Sequence, residues 1–568
     1  MEEVFQHGWY KEMNVAGLGE DSQHLFPSIF YNLSQKKESM RRFGLFLFLW
    51  AISIAGFAQH IPAYPIPRHL EPDTPDSLRT YTAFYPYDFS KAIPADSLPL
   101  QTGSRLADYL LNKPLWEVRH RDYGFRLMPL LWLEGGRIND SVSRTFINTR
   151  GVRVDGYVGR QVQFGTEITE NQARFPQWEY DWYRLHRTGN GFPAIVPHFG
   201  IAKNDKGGVL DFPGARGYIS YRPSRFFSFH LGHGTPFIGY GYRSLFLGDH
   251  VPPYGYFRVE SRFWHLRYIV MWSVLQDVRP AVVKGGVYHQ KYMATHYIDW
   301  AVVPRWHIGL FENVIWDPSL GKGFDPNFLN PVIFFKTLEF QTGTKPANTV
   351  LGLETAYRLP FQVQLYGQFL LDEMTVSKFF GNPGYWGNKY ALQWGVKTVR
   401  HWGDHILRAR LEYNMVRPFT YSHHRVRINY GHDNWPLAHP WGANFTEWLV
   451  QVDWNYRRWG ARLLVDTGRQ GLDIPGDPAS YGADIYRDYE ERYSDTDVHL
   501  LAGNMWKRYV INGEAWYMLN PVYRLQVFTG INRRNFHITQ AYSVFRDHDN
   551  TWIYLGLRTD LFRYPRNE

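Results

Sequence analysis

The chain has 568 residues, a net charge of +9, 18% aromatic residues (22 Trp and 39 Tyr among them) and no cysteine. The lack of cysteine excludes disulfides, cysteine-ligated metals and a lipidated N-terminal cysteine. Mean hydropathy is −0.40, and after residue 58 no apolar run approaches the roughly 20 residues of a spanning helix, which argues against a helical membrane protein.

In chain order, the first recognisable element is a leader. Arg41 and Arg42 precede the apolar run Phe43–Ile54, then Ala55-Gly56-Phe57-Ala58-Gln59. A basic start, an apolar centre and a small-residue end predict a signal peptide over 40–58, cleaved after Ala58. Signal peptides begin at the chain start, so Met40 is the expected start and 1–39 an upstream extension. The alternative is a cytoplasmic tail before an uncleaved anchor, for which the apolar run is short.

Residues 59–121 open with Pro62, Pro65, Pro67, Pro72, Pro75, Pro86, Pro94 and Pro99. They read as an extended periplasmic lead-in. Within them Ser104–Leu111 predicts a short helix, capped by Ser104 and stopped near Pro114.

From near Tyr123, residues 122–568 read as one transmembrane antiparallel β-barrel of about 18 strands, each of about ten residues. The alternation is cleanest over Ile406–Asp466. Thr446, Trp448, Val450, Val452, Trp454 and Tyr456 share one face of Asn444–Arg457; Glu447, Gln451, Asp453 and Asn455 lie on the other. Side chains of a strand alternate sides, so such a strand separates two solvents. Leu407, Ala409, Leu411, Tyr413 and Met415 alternate likewise with Arg408, Arg410, Glu412 and Asn414. The stretches 277–291 and 469–505 leave room for further strands. Tight turns such as Leu359-Pro360 and Arg457-Arg458-Trp459 alternate with long connections at 170–216, 233–255, 317–347, 417–444 and 469–505. A barrel with short periplasmic turns and long external loops has this rhythm, and an aromatic excess suits its two interfacial girdles. The competing reading, two or three exported soluble β-domains, predicts apolar faces packed together and no aromatic bands.

Several long connections carry extended motifs. Glu170–Pro176 reads ENQARFP, Ser220–Asp249 SYRPSRFFSFHLGHGTPFIGYGYRSLFLGD and Asp325–Phe335 DPNFLNPVIFF. Arg417–Glu447 carries RPFTYSH, NYGH, PLAHP and GANFTE. Together, over most of 104–562, these resemble the gliding-motility protein RemB family of Bacteroidota, related to the Wzi-like capsule-assembly barrels. The resemblance implies a non-enzymatic barrel of the cell outer membrane, concerned with gliding motility or with attaching or assembling surface polysaccharide. The extension 1–39 departs from that pattern. A porin-like channel is the alternative function, and a barrel hydrolase a further one.

The loop after Met415 is the first candidate site. Arg417, Tyr421, His423, Tyr430, His432, Asn434, Trp435, His439 and Asn444 combine aromatic faces with planar donors and acceptors, the chemistry that holds sugars. The competing structural role is to hydrogen-bond one another within the barrel mouth. A metal on His423, His432 and His439 is a minor reading, because their spacing is not diagnostic and no HExxH is present; the expected site holds no metal, and no cofactor is expected. Gly232–Tyr242 is glycine-rich but lacks GK[ST] and a βαβ context, so it predicts tight backbone packing in the barrel mouth. The adjacent Asp372 and Glu373 should face opposite sides of a strand, which argues against a glycosidase pair. Asn330-Pro331 reads as a turn before Val332–Phe335, expected in the lumen. The basic balance suits outer-membrane lipid and lipopolysaccharide as partners. Exopolysaccharide and motility or secretion components are further partners, and nucleic acid is not expected.

Overall fold

A strand whose two faces meet different solvents can only persist in a membrane if its edges are paired, and these edges are paired all the way round. The computed structural model describes residues 103–320, 326–331 and 347–559, with the backbone of Phe84–Tyr85. The leader and most of the proline-rich stretch lie outside the described residues, as does Val332–Phe335.

The barrel strands are β1 Tyr123–Ile138, β2 Arg144–Val158, β3 Val162–Arg174, β4 Leu210–Tyr221, β5 Phe227–Gly234 and β6 Tyr254–Phe263. They continue as β7 Leu266–Asp277, β8 His289–Val303, β9 Trp306–Trp316, β10 Ala347–Leu359, β11 Val363–Glu373 and β12 Lys389–Trp402. The last six are β13 His405–Val416, β14 Phe445–Tyr456, β15 Trp459–Leu472, β16 Asn504–Asn520, β17 Leu525–Ile538 and β18 His548–Thr559. Each pairs antiparallel with the next, and β18 closes on β1 from Trp552↔Ile138 to Arg558↔Trp132. The expected barrel of about 18 strands is therefore a closed barrel of 18. At the seam the short strand Trp116–Arg119 pairs with Gly124–Leu127 and so covers part of the β1 edge beyond the pairing with β18. That pairing shortens the length of β1 edge left open to hydrocarbon among the described residues.

The predicted faces hold. On β14, Phe445, Glu447, Leu449, Gln451 and Asp453 are buried inward while Trp448 and Val450 are exposed. Glu412 and Asn414 of β13 are fully buried inside. Leu133, Ile168, Ile219, Leu310, Leu353, Leu365, Val450, Leu463, Ile531 and Leu555 expose an aliphatic band around the outside. Tyr123, Phe263, Trp264, Trp306, Tyr357, Trp402 and Trp459 line its tight-turn edge; Phe257, Trp394, Trp448 and Tyr509 line the other. Trp448 to Tyr456 is roughly 27 Å along a strand, or about 20 Å across a bilayer at a tilt of roughly 40°, which fits an outer membrane. Separate soluble lobes are set aside by the closure and by this belt.

Two local expectations change. Strands exceed ten residues where they run past the belt: β1 has 16 and β16 has 17. The additional space at 277–291 and 469–505 holds no further barrel strand among the described residues. Beside these strands the segment Pro326–Pro331, ahead of the undescribed Val332–Phe335, packs on the outer wall: the Phe328 ring lies tilted 4.7 Å from that of Trp316, and the outward-facing Trp272 donates to the Phe328 carbonyl at 3.0 Å.

The helix α1, Arg105–Asn112, forms one residue later than predicted, and Ser104 precedes it without a side-chain cap. Its C-terminal carbonyls are met from the tight-turn side of the barrel instead. Asn520 Nδ2 donates to the carbonyls of Leu110 (2.8 Å) and Lys113 (3.0 Å), and Tyr523 to Leu110 (3.1 Å). The backbone of Phe84–Tyr85 pairs with Phe237–Ile238 in the β5–β6 loop, so at these two residues the proline-rich lead-in is tied to a loop on the external side.

Candidate functional site

The β5–β6 loop folds inward because two strand carboxylates supply acceptors there. Glu354 of β10 accepts the Tyr240 N–H (3.2 Å), the Tyr297 hydroxyl (2.6 Å) and Gln368 Nε2 (2.9 Å). Glu412 of β13 accepts the N–H groups of Tyr242 (2.6 Å) and Arg243 (3.0 Å) and the Tyr366 hydroxyl (2.8 Å). A Cβ on Gly241 would lie 2.6 Å from Glu412 Oε2, so glycine is what permits this approach. The predicted tight packing of Gly232–Tyr242 in the mouth is realised in this way.

The β13–β14 loop lies over that segment, and its side chains are spent on their own chain. Tyr421 and Tyr430 donate to the carbonyls of Leu245 (2.8 Å) and Phe246 (2.7 Å). Arg417 donates to the carbonyls of Asn388 and Val498. His432 Nδ1 accepts from the Gln276 N–H at 3.0 Å, and His439 Nε2 meets Glu447 at 2.9 Å. Trp435 stacks on His186 at 3.8 Å, beside the helix α2, Gln177–Leu185. Asn434 donates to the Arg187 carbonyl at 3.0 Å. Asn444 ties the β13–β14 loop to the β15–β16 loop. Of the nine residues singled out in the sequence, only His423 and Asn434 keep appreciable surface. His423, His432 and His439 have different partners, and among the described residues no three His, Asp or Glu side chains form a metal-binding group.

His423 belongs to a second assembly that the sequence did not announce. Its ring lies 4.3 Å from His424 and 5.8 Å from Tyr489. Tyr489 meets His424 Nδ1 through its hydroxyl at 3.2 Å and packs on Trp386 at 4.8 Å. The Arg492 guanidinium sits 4.3 Å from the Trp386 ring, held by Glu490 and Asp495. Lys389 stands 4.5 Å from the Tyr489 ring and pairs with Glu373 (2.9 Å) and Asp372 (3.8 Å). A register shift between Leu371 and Glu373 lets these adjacent carboxylates reach the same ammonium, which strict alternation would forbid. Trp386, His423, Tyr489 and Arg492 are half-buried and His424 is exposed. The β11–β12, β13–β14 and β15–β16 loops thus build one external shelf of rings and planar donors. Trp386 and Tyr489 were missed because they lie about 100 residues apart in two different loops, and strand alternation does not locate where loops meet.

Burial lowers His423 and His432 to about 3 and His186 to about 4, with neighbouring His424 and Lys389 adding to the shift at His423. These imidazoles are neutral in the fold and protonate near 6.5 when unfolded. Their contribution is therefore complete above pH 6.5 and is lost progressively as pH falls below it, by about 2 kcal/mol each at pH 5. Asp433, raised to about 7 by burial and by Asp277, works in the opposite sense between 3.8 and 7, but is one group against three. Hydrogen exchange in 417–444, corrected for intrinsic rate, should rise on going from pH 7.5 to 5 while exchange in β13 and β14 stays slow.

No family model matches the sequence, and no curated protein matches it. Among solved structures the chain is similar to Wzi of Escherichia coli, described as an outer-membrane carbohydrate-binding β-barrel involved in group 1 capsule assembly. Identity is 12% over 76% of this chain and 84% of that one, with a TM-score of 0.46. It is also similar to OprD of Pseudomonas aeruginosa (13% identity, 78% and 96% covered, TM-score 0.38). A BenF-like porin of Pseudomonas fluorescens matches at 9% identity, with 77% and 98% covered and a TM-score of 0.39. By its own closure, its apolar belt and the asymmetry of its turns and loops, the chain is an outer-membrane β-barrel.

Proposed function

We propose that the protein is a non-enzymatic barrel of RemB/Wzi-like type that holds surface polysaccharide on its external loops, in support of polysaccharide assembly or gliding. The observation that carries this reading is the shelf of Trp386, His424, Tyr489 and Arg492: half-exposed rings beside fixed planar donors suit the apolar face and hydroxyls of a sugar. In this reading His423 contributes to the shelf. Arg417, Tyr421, Tyr430, His432, Asn434, Trp435, His439 and Asn444 give the loop beneath it a fixed shape.

Trp386→Ala with Tyr489→Ala should weaken retention of extracted surface polysaccharide by about tenfold, at roughly 1 kcal/mol or slightly less per ring, with unchanged barrel abundance. Undiminished retention in a pull-down would remove the shelf from the assignment. A deletion strain scored for both surface polysaccharide and spreading separates the assembly role from the motility role.

A porin-like channel is the second reading, favoured by the strand number, since barrels of 16–18 strands are wide enough for an aqueous lumen. The inward segment Tyr240–Arg243 counts against it.

A further inference from the structure

The outer wall carries a groove of about 530 Å³ across β13 to β17, at the external edge of the apolar belt. Its lower row is aromatic, with Tyr413 opposite Trp448 and, two strands on, Tyr509. The row above it is cationic. Thr446 lies opposite Arg469, Arg469 opposite Lys507, and Lys507 opposite His537. Like charges placed directly across a sheet repel, and no acidic side chain lines the groove. His537 has its own carboxylate in Asp547 at 3.1 Å, and the deeper Arg533 has Asp549. Arg469 and Lys507 are exposed, and neither makes an ion pair or side-chain hydrogen bond to the described residues.

Two unpaired cations side by side, one side-chain row outside an aromatic girdle, stand at headgroup depth. They call for an anion supplied by the membrane itself. We infer that this groove binds the phosphorylated sugar headgroup of an outer-leaflet glycolipid, with Arg469 and Lys507 on a phosphate, Trp448 and Tyr509 beneath the sugar, and the acyl chains along Val450, Leu463 and Ile531. Arginine offers a forked pair of donors to a phosphate and lysine a point charge, which together suit one phosphate group better than diffuse attraction does. Position decides against a soluble anion: the floor is continuous with the lipid-facing belt, so a ligand with its own acyl chains loses the least on binding.

The test is native mass spectrometry of the full barrel released from detergent micelles, with diphosphorylated lipid A as the probe. The wild-type chain should carry one lipid A, and Arg469→Ser/Lys507→Ser should lose at least tenfold of that occupancy, in line with roughly 1 kcal/mol per cation at a membrane surface. Lys507→Arg should keep it, and heat-modifiable migration should show that every variant is folded. Equal occupancy in the double variant overturns the proposal. So does displacement by inorganic phosphate, which would mean a site for free anion, or equal retention of phosphatidylglycerol, which would mean unspecific attraction to any anionic lipid. The shelf is on other side chains, so glycan retention by the double variant should be normal.

Discussion

Glu412→Ala combined with Glu354→Ala should release the inward loop and turn a closed barrel into a conducting one. Three backbone N–H groups, those of Tyr240, Tyr242 and Arg243, end on these two carboxylates. All three would lose their acceptors within the wall, and so would the hydroxyls of Tyr297 and Tyr366. A hydrogen bond to a charged group contributes about 1.5–3 kcal/mol, and a buried donor left without a partner costs a similar amount. The loop should therefore lose roughly 5 kcal/mol or more of attachment, against strand pairing that the substitutions leave untouched. Planar-bilayer recordings should show small or no unitary conductance for the wild-type chain and a large increase for the double variant. Glu412→Gln should have a smaller effect, since it keeps one acceptor oxygen while turning an amide toward another donor. An open wild-type channel, unchanged in the double variant, would favour the porin reading and remove the inward loop as the closing element.

The wall was legible in the sequence because hydrocarbon and a hydrated interior impose a period of two on every strand. Trp448, Val450 and Val452 could only face one way and Glu447, Gln451 and Asp453 the other, so face, strand number and the tight turns could all be read without coordinates. What lies inside the mouth could not. A loop rich in Tyr, Trp, His and Arg has the same composition whether it stacks on a sugar or ties itself down. The choice depends on acceptors that alternation does not locate: for Tyr421 and Tyr430 these are the carbonyls of Leu245 and Phe246, 176 and 184 residues away. The shelf was hidden for a related reason. Trp386 and Tyr489 meet only because β11–β12 and β15–β16 close over the same side of the mouth. Asp372 and Glu373 show the limit of parity itself, since one register shift brings both to Lys389.

Asn444 carries the second large effect, and its substitutions separate backbone from side chain. It lies at φ +57, a left-handed conformation that asparagine tolerates and most residues do not. Its Nδ2 is 2.7 Å from the Gly471 carbonyl, 3.1 Å from that of Tyr481 and 2.9 Å from that of Ala502, while its Oδ1 accepts the Leu501 N–H at 2.7 Å. One fully buried amide therefore joins the end of the β13–β14 loop to both ends of the β15–β16 loop, which carries Tyr489 and Arg492 to the shelf. Asn444→Gly keeps the backbone conformation and loses only the side chain, which should cost about 2–4 kcal/mol. Asn444→Ala adds about 1 kcal/mol of backbone strain. Asn444→Asp has nearly the same shape, yet it aims a carboxylate oxygen at three carbonyls, so it should be the most damaging of the three despite being the closest in size. The order Gly, Ala, Asp, from mildest to most severe, should appear in the rate of proteolytic nicking within residues 473–503 of the folded barrel. Polysaccharide retention should fall in the same order, because the shelf keeps its rings but loses their placement. If Asp were milder than Ala, the amide would not be donating to these carbonyls and the two loops would have to be held together by packing alone.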